Sequence, residues 1–377
     1  MRILQVSSAR AFGGGERHVV DLTRGLAARG HEVHVAAPAA SPLRDGLGTL
    51  PQAHLHALPL RNALDLPGAV RLARLARNVG AEIIHAHVAR DYTLAAYAAR
   101  RAGARLVITR HVLFPLSRAH RFALANVSRV IAVSGAVARA LRAQALFPPD
   151  VIRVVLNGID VERFERAREE FERGRAGYPD RVGAAAGCAT LRVGTVGSLV
   201  ENKGQDLFLR AAAGVLSRVS APVEFVIVGD EGQRGGGYRE KLESLIDGLR
   251  LGGRVSLHAR WEDTARVLPS LDVFVSPSRS EAFGLAMAEA LATGVPVVAT
   301  ATDGAREIVE DGVNGTIVPI DDEDALASAL AALLEDGGRR KAYAARAAES
   351  ARRRFGLDRM VGETERVYLE ALARPGP

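Results

Sequence analysis

A chain of 377 residues, 48% of them hydrophobic, can bury a large core and on length suggests two domains. Its single cysteine, Cys188, excludes an internal disulfide framework and fits a reducing compartment. The net charge of +7 is unevenly shared: residues 1–150 hold 20 Lys+Arg against 8 Asp+Glu, whereas residues 151–377 hold 30 against 35. Between Asp91 and Asp150 lie nine arginines and no carboxylate, a block that attracts phosphates, nucleic acid or an anionic bilayer unless it is only a solvated face.

In chain order, Met1-Arg2-Ile3-Leu4-Gln5-Val6 reads as the start of a strand rather than a signal peptide, and no later apolar run reaches the ~18 residues of a membrane span. The expected location is the cytoplasm, with peripheral attachment to the inner face of the cytoplasmic membrane left open by the basic first half. Strands are predicted at Ile3–Ser7, Glu32–Ala37, Ile83–Ala86, Leu106–Thr109, Val130–Ser134 and Arg153–Leu156. Helical patterns such as Glu16–Arg29, Leu66–Asn78 and Ala136–Gln144 fall between them. A polar stretch from Asp160 to Gly187 breaks the rhythm, as a helical turn plus linker would. A second set of strands follows at Val193–Gly197, Glu224–Val228, Val255–His258, Val273–Ser276 and Val297–Thr300.

This alternation predicts an α/β protein of two Rossmann-like doubly wound domains facing a central cleft. Residues 1–158 form the first domain, 159–190 a linker and 191–357 the second. The last helix, from about Asp358, is expected to cross back onto the first domain after a break at Phe355-Gly356.

The strongest chemical signal is Ser276-Pro277-Ser278-Arg279-Ser280-Glu281-Ala282-Phe283-Gly284-Leu285-Ala286-Met287-Ala288-Glu289. It follows a predicted strand and opens a helix, with Glu281 in the loop and Glu289 inside the helix. The free N–H groups and positive dipole end near Gly284 suit a diphosphate. Carboxylates beside phosphates make sense as acceptors from sugar hydroxyls. Lys203 stands out because the chain has only three lysines, so a lysine in a short Glu-Asn-Lys-Gly loop suggests that a compact ammonium is wanted there, and the departing phosphate is its natural target. The Gly13-Gly14-Gly15 loop allows close backbone approach to a ligand but is not a dinucleotide fingerprint. Among His85, His87 and His111, the last follows a strand's carboxyl end into the cleft, and His87 is a candidate for touching an acceptor. The alternative for each is a buried, merely satisfied histidine, a weaker alternative for His111 than for His85 and His87. Spacing supplies no third ligand to His85-x-His87, so no metal is expected.

These motifs resemble family 4 of the retaining glycosyltransferases nearly end to end. The likeness is carried by Gly13-Gly14-Gly15-Glu16-Arg17-His18, Arg29-Gly30-His31-Glu32-Val33, Ile84-His85-Ala86-His87, Ile131-Ala132-Val133-Ser134 and Asn157-Gly158-Ile159-Asp160. It continues in Lys203-Gly204-Gln205-Asp206, Val228-Gly229-Asp230-Glu231-Gly232, Gly294-Val295-Pro296-Val297-Val298-Ala299 and, above all, Glu281-x7-Glu289. The resemblance implies a GT-B fold, a nucleoside-diphosphate-sugar donor, no metal or other cofactor, and retention at the anomeric carbon. It assigns Glu289 to the ribose hydroxyls, Glu281 and His111 to the donor sugar, and the N–H groups of Phe283, Gly284 and Leu285 to sugar and phosphate. Gly14 and Gly15 would also approach the donor, and its base would lie near His258–Glu262. There Arg260 stands where a glycine is common, and Ser198 replaces an arginine that relatives often carry.

The catalytic set is thus His111, Lys203 and Glu281, with a front-face mechanism in which the leaving phosphate helps take the acceptor proton. The expected acceptor is a sugar or a lipid-linked acceptor of cell-envelope glycan or glycolipid synthesis, met by His87, Arg110 and Arg118. An anionic membrane surface is a further expected partner, with Arg118, Arg121 and Arg129 as its contacts. Two alternatives remain at this point: a non-hydrolysing sugar-nucleotide epimerase, and a non-catalytic nucleic-acid binder. The second is disfavoured because the arginine block lacks interleaved aromatics.

Overall fold

The computed structural model describes residues 1–48, 50–51, 54–174, 190–231, 236–259 and 263–373. It divides into two compact units, Met1–Gly158 with Leu357–Pro377, and Ile159–Gly356.

The first unit is built on seven parallel strands: β1 (Arg2–Val6), β2 (Glu32–Ala37), β3 (Leu55–Ala57), β4 (Ile83–Ala86), β5 (Arg105–Arg110), β6 (Arg129–Ala132) and β7 (Ile152–Val154). Their order is β3-β2-β1-β4-β5-β6-β7, so the winding reverses between β1 and β4. Neighbours are parallel throughout, with Ile3 opposite Val33 on one side and Ile83 on the other. Helices fill the crossovers where local signals favour them. Asp65 caps the helix Leu66–Asn78 by accepting from the Gly68 N–H, and Ser134 caps Gly135–Gln144 through the Val137 N–H.

The last helix, Leu357–Ala373, belongs to this unit. Its Met360, Val361, Val367, Tyr368 and Ala371 join Ile3, Leu22, Leu26, Val33, Ile83, Val107 and Ile131 in one core. Tyr368 also carries polar traffic through that core. Its hydroxyl lies 2.6 Å from His85 Nδ1 and 3.3 Å from Gln5 Nε2. His85 Nε2 in turn meets Thr109 Oγ1 at 2.7 Å, so His85 is a fully satisfied core histidine.

The second unit has β8 (Leu191–Val196), β9 (Val223–Val228), β10 (Val255–His258), β11 (Val273–Ser276), β12 (Val297–Thr300) and β13 (Gly315–Val318). Their order is β10-β9-β8-β11-β12-β13, again parallel and again reversing, here between β8 and β11. The stretch read as a turn and linker from Asp160 instead begins with a three-turn helix, Val161–Glu172, that is part of this unit. Asp160 caps it through the Arg163 N–H, and Val161 and Phe164 are buried, which is the apolar anchorage a linker lacks. Cys188, like the rest of 175–189, lies outside the described residues. Among the described residues no helix is long and apolar enough to cross a membrane.

Removing the Tyr368 hydroxyl tests this architecture. Tyr368→Phe leaves buried His85 and Gln5 short of a partner and should destabilise the first unit by ~1–3 kcal/mol. A lower urea midpoint with unchanged far-UV circular dichroism is the expected result.

Candidate active site

In each unit the predicted residues gather where the strand order reverses, at the carboxyl ends of the strands, which is where open parallel sheets bind ligands.

In the first unit the chain leaves β1 and turns at Gly13, whose extended backbone caps the helix Gly14–Ala28. Gly14 is exposed and Gly15 half-buried. A Cβ on Gly15 would sit 3.7 Å from the His111 ring, so this turn lies directly against the residue that follows β5. One helical turn on, His18 faces the same spot: its ring centroid is 4.8 Å from that of His111 and 5.8 Å from that of His87. His87, just beyond β4, is 5.8 Å from His111. The structure therefore brings a third imidazole to His87 and His111, which the spacing of His85-x-His87 did not supply: one nitrogen from each of His18, His87 and His111 lies within 4.8 Å of the others.

These rings are neutral. Burial drives His85, His87 and His111 well below the usual histidine range, with neighbouring imidazoles adding to the effect. Burial lowers His18 to about 4, the Asn157 side chain offsetting it in part. His87 Nε2 meets Gln5 Oε1 at 2.7 Å, so as a neutral ring it donates there and leaves a lone pair on Nδ1. That Nδ1, both nitrogens of His18, His111 Nε2 and Asn157 Oδ1 are buried without hydrogen-bond partners of good geometry. Such a concentration of unmet polar atoms is costly unless a polar ligand satisfies them.

The two predicted acceptor arginines differ. Arg110 is buried, and its guanidinium donates to the Phe114 carbonyl, where it braces the 111–116 loop from within. Arg118 is exposed. Arg129, expected at the surface, is buried and paired with Glu370 of the last helix at 2.9 Å.

In the second unit, the loop after β8 and the loop after β11 interlock. The Arg279 N–H donates to the Asn202 carbonyl at 2.9 Å, and Asn202 Nδ2 to the Ser280 carbonyl at 3.0 Å. Gly204 takes a left-handed conformation (φ +66°), and a Cβ there would lie 2.0 Å from the Pro277 carbonyl oxygen, so only glycine permits the two loops to close up. The result is a direct ion pair, Lys203 Nζ to Glu281 Oε2 at 2.5 Å, with Ser278 Oγ 3.4 Å from the same oxygen. Gly284 (φ +102°) begins the helix Leu285–Ala292, while Phe283 is buried and meets Phe355 edge-on. Glu289, in the second turn, is buried and accepts from Thr264 Oγ1 at 2.9 Å. Ser198 is exposed and contributes its carbonyl, to Gln205, rather than a cation. Arg279 is already committed: it forks onto Asp206 at 2.8 and 2.9 Å, pairs with Asp321, and donates to the Glu201 carbonyl. Arg260 and its neighbours Trp261 and Glu262 lie outside the described residues.

Comparison with known proteins identifies the family and the fold. The family model described as Glycosyltransferase Family 4 matches residues 12–163, and that described as Glycosyl transferases group 1 matches residues 190–336. A D-inositol 3-phosphate glycosyltransferase of Xylanimonas cellulosilytica is 32% identical over 96% of this chain and 93% of its own. A phosphatidyl-myo-inositol mannosyltransferase of Mycobacterium leprae is 30% identical over 97% and 94%. Among solved structures, Anabaena Alr3699/HepE in complex with UDP and glucose superposes with a TM-score of 0.81 at 24% identity, over 97% of this chain and 98% of that one. A glycosyltransferase from Rickettsia africae gives 0.83 at 20% identity, over 99% of each. The fold is GT-B.

The neutral His18 makes stability depend on pH in a definite direction. Its folded pKa of about 4 lies below the unfolded value of ~6.5, so its contribution is fully present above pH 6.5 and is lost as pH falls toward 4. Between pH 6.5 and 5 the loss should be ~2 kcal/mol from this residue alone. Urea unfolding of wild type and His18→Leu at both pH values checks it: the substitution should flatten the dependence.

Proposed function

The chain belongs to glycosyltransferase family 4 and is a glycosyltransferase, and from that premise we propose that it moves a sugar from a nucleoside-diphosphate-sugar to an acceptor hydroxyl with retention and without a metal. The observation that carries the reading is the Lys203–Glu281 pair beside the helix that opens at Gly284. An ammonium near the start of a helix is a seat for a diphosphate. Glu281 pairs with that ammonium; a diphosphate would compete for it and leave the carboxylate to accept from a hydroxyl of the sugar. Glu289, buried with one oxygen on Thr264, is suited to a ribose diol. In the first unit the unmet nitrogens of His18, His87 and His111 supply donors and acceptors to neutral hydroxyls, which uncharged imidazoles do without an ionic penalty. His111, against the Gly14-Gly15 turn, serves the transferred sugar and His87 the acceptor.

No side chain is assigned as a nucleophile. The leaving phosphate, stabilised by Lys203, assists removal of the acceptor proton on the same face, so the bond to the leaving oxygen breaks as the bond to the acceptor oxygen forms. The relatives' inositol-containing names support a lipid-linked or polyol acceptor of cell-envelope glycolipid synthesis.

One transfer assay tests the set. Incubated with UDP- or GDP-sugars and an acceptor, the enzyme should yield product of the donor's anomeric configuration and keep its turnover in EDTA. Lys203→Ala should lower turnover at least ~10²-fold, in the range for loss of one preorganised charge contact, because Arg279 is committed elsewhere. Lys203→Arg should rescue poorly, since a planar fork does not occupy an ammonium's position. A mild Lys203→Ala phenotype, or activity lost to EDTA and restored by Mg²⁺ or Mn²⁺, defeats the reading.

We also propose that the segment after β5 meets an anionic membrane surface on the cytoplasmic side. Phe114 is 74% and Phe122 81% exposed, flanked by the exposed Arg118 and Arg121, a combination of apolar wedge and basic rim. Each basic residue near an anionic leaflet contributes ~1 kcal/mol. Vesicle sedimentation should show binding to anionic but not neutral liposomes, weakened by Phe114→Ser with Phe122→Ser; equal binding to both lipids defeats the proposal.

A further inference from the structure

A second group of histidines lies away from the transfer site, at the outer edge of the first sheet. On β2, Glu32 and His34 are two residues apart and so project from the same face of the strand. Beside them, His54 and His56 flank Leu55 at the start of β3, which pairs with β2 through Val35 opposite Leu55 and Ala36 opposite His56. His34 is nearly buried, and both of its ring nitrogens are engaged: Nε2 lies 3.0 Å from Glu32 Oε1 and Nδ1 lies 3.1 Å from His56 Nε2. The His54 ring sits 4.4 Å from that of His34. Ligand atoms of Glu32, His34 and His54 all fall within 4.8 Å of one another.

We propose that Glu32, His34 and His54 form a binding site for a divalent transition-metal ion of the Zn²⁺ type. Two imidazoles and one carboxylate are the donor set zinc accepts when it keeps a fourth position for water. At bond lengths of 2.0–2.1 Å the edge of such a tetrahedron is ~3.3 Å, close to the 3.0 Å gap between His34 Nε2 and Glu32 Oε1. His56 acts one shell out. By accepting from His34 Nδ1–H it leaves the His34 Nε2 lone pair for the ion, the arrangement that orients most metal-bound histidines. Two guanidiniums act on the cluster electrostatically, Arg2 on Glu32 and Arg44 on His56. An ion there would tie β2 to the residue just before β3, a three-residue edge strand.

The experiment is a titration of the chelator-stripped full chain with Zn²⁺ alone by calorimetry, with Co²⁺ absorption as a second readout. One equivalent should bind, giving the intense visible bands of four-coordinate cobalt. Glu32→Gln, at an exposed residue, and His54→Gln, at a half-buried one, should each weaken binding at least 10-fold, and His87→Gln should leave it unchanged. Absence of stoichiometric binding overturns the proposal. So does loss of binding in His87→Gln with retention in His54→Gln, which would seat the ion among His18, His87 and His111. Neither readout depends on sugar transfer, so the outcome is separable from that of the transfer assay.

Discussion

A parallel sheet delivers the carboxyl end of every strand to one edge, and this constraint organises all that the two units do. Because both sheets reverse their winding once, between β1 and β4 and between β8 and β11, two consecutive loops diverge at each reversal and leave a gap that helices do not cover. In the first unit the loops following β1, β4 and β5 put Gly15, His87 and His111 side by side, although they are far apart in sequence. In the second, the loops after β8 and β11 put Lys203 on Glu281 across 78 residues.

The two gaps are chemically unlike. The first holds buried, uncharged imidazoles, with unmet nitrogens of His18, His87 and His111 drawn together. The second holds a charged pair with partial access to water and a helix start, an environment that answers to negative charge.

Much of this was legible in the sequence because it is local. The Glu281-x7-Glu289 segment is a strand end, a turn and a helix start, each with its own signature, and the structure has the helix begin at Leu285 as Gly284 indicates. The strands with continuous Val and Ile runs are likewise evident. Strands β3 and β13 escape the pattern because His54-Leu55-His56 looks like a loop and Gly315-Thr316-Ile317-Val318 opens on a turn-like glycine. The helix Val161–Glu172 was hidden by its charge, since only Val161 and Phe164 are buried. His18 was missed because on a helix it passes for one polar position among many. The available signal was its place one turn after a glycine-rich loop that follows a strand. The burial of Arg129 depends on Glu370, 241 residues away, and no local pattern carries such a partner.

Tyr368 has a consequence for how the protein is made. The first unit's core is closed by residues 357–373, while nearly two hundred residues of the other unit intervene in the chain. During synthesis from the N-terminus the first sheet therefore emerges long before the helix that covers Leu22, Leu26 and Ile83, and His85 and Gln5 wait without their shared hydroxyl. The second unit, formed of one continuous segment, is free to finish first, so the order of completion runs opposite to the order of emergence. The exposed face of that unfinished sheet is the stage at which the nascent chain has most need of a chaperone.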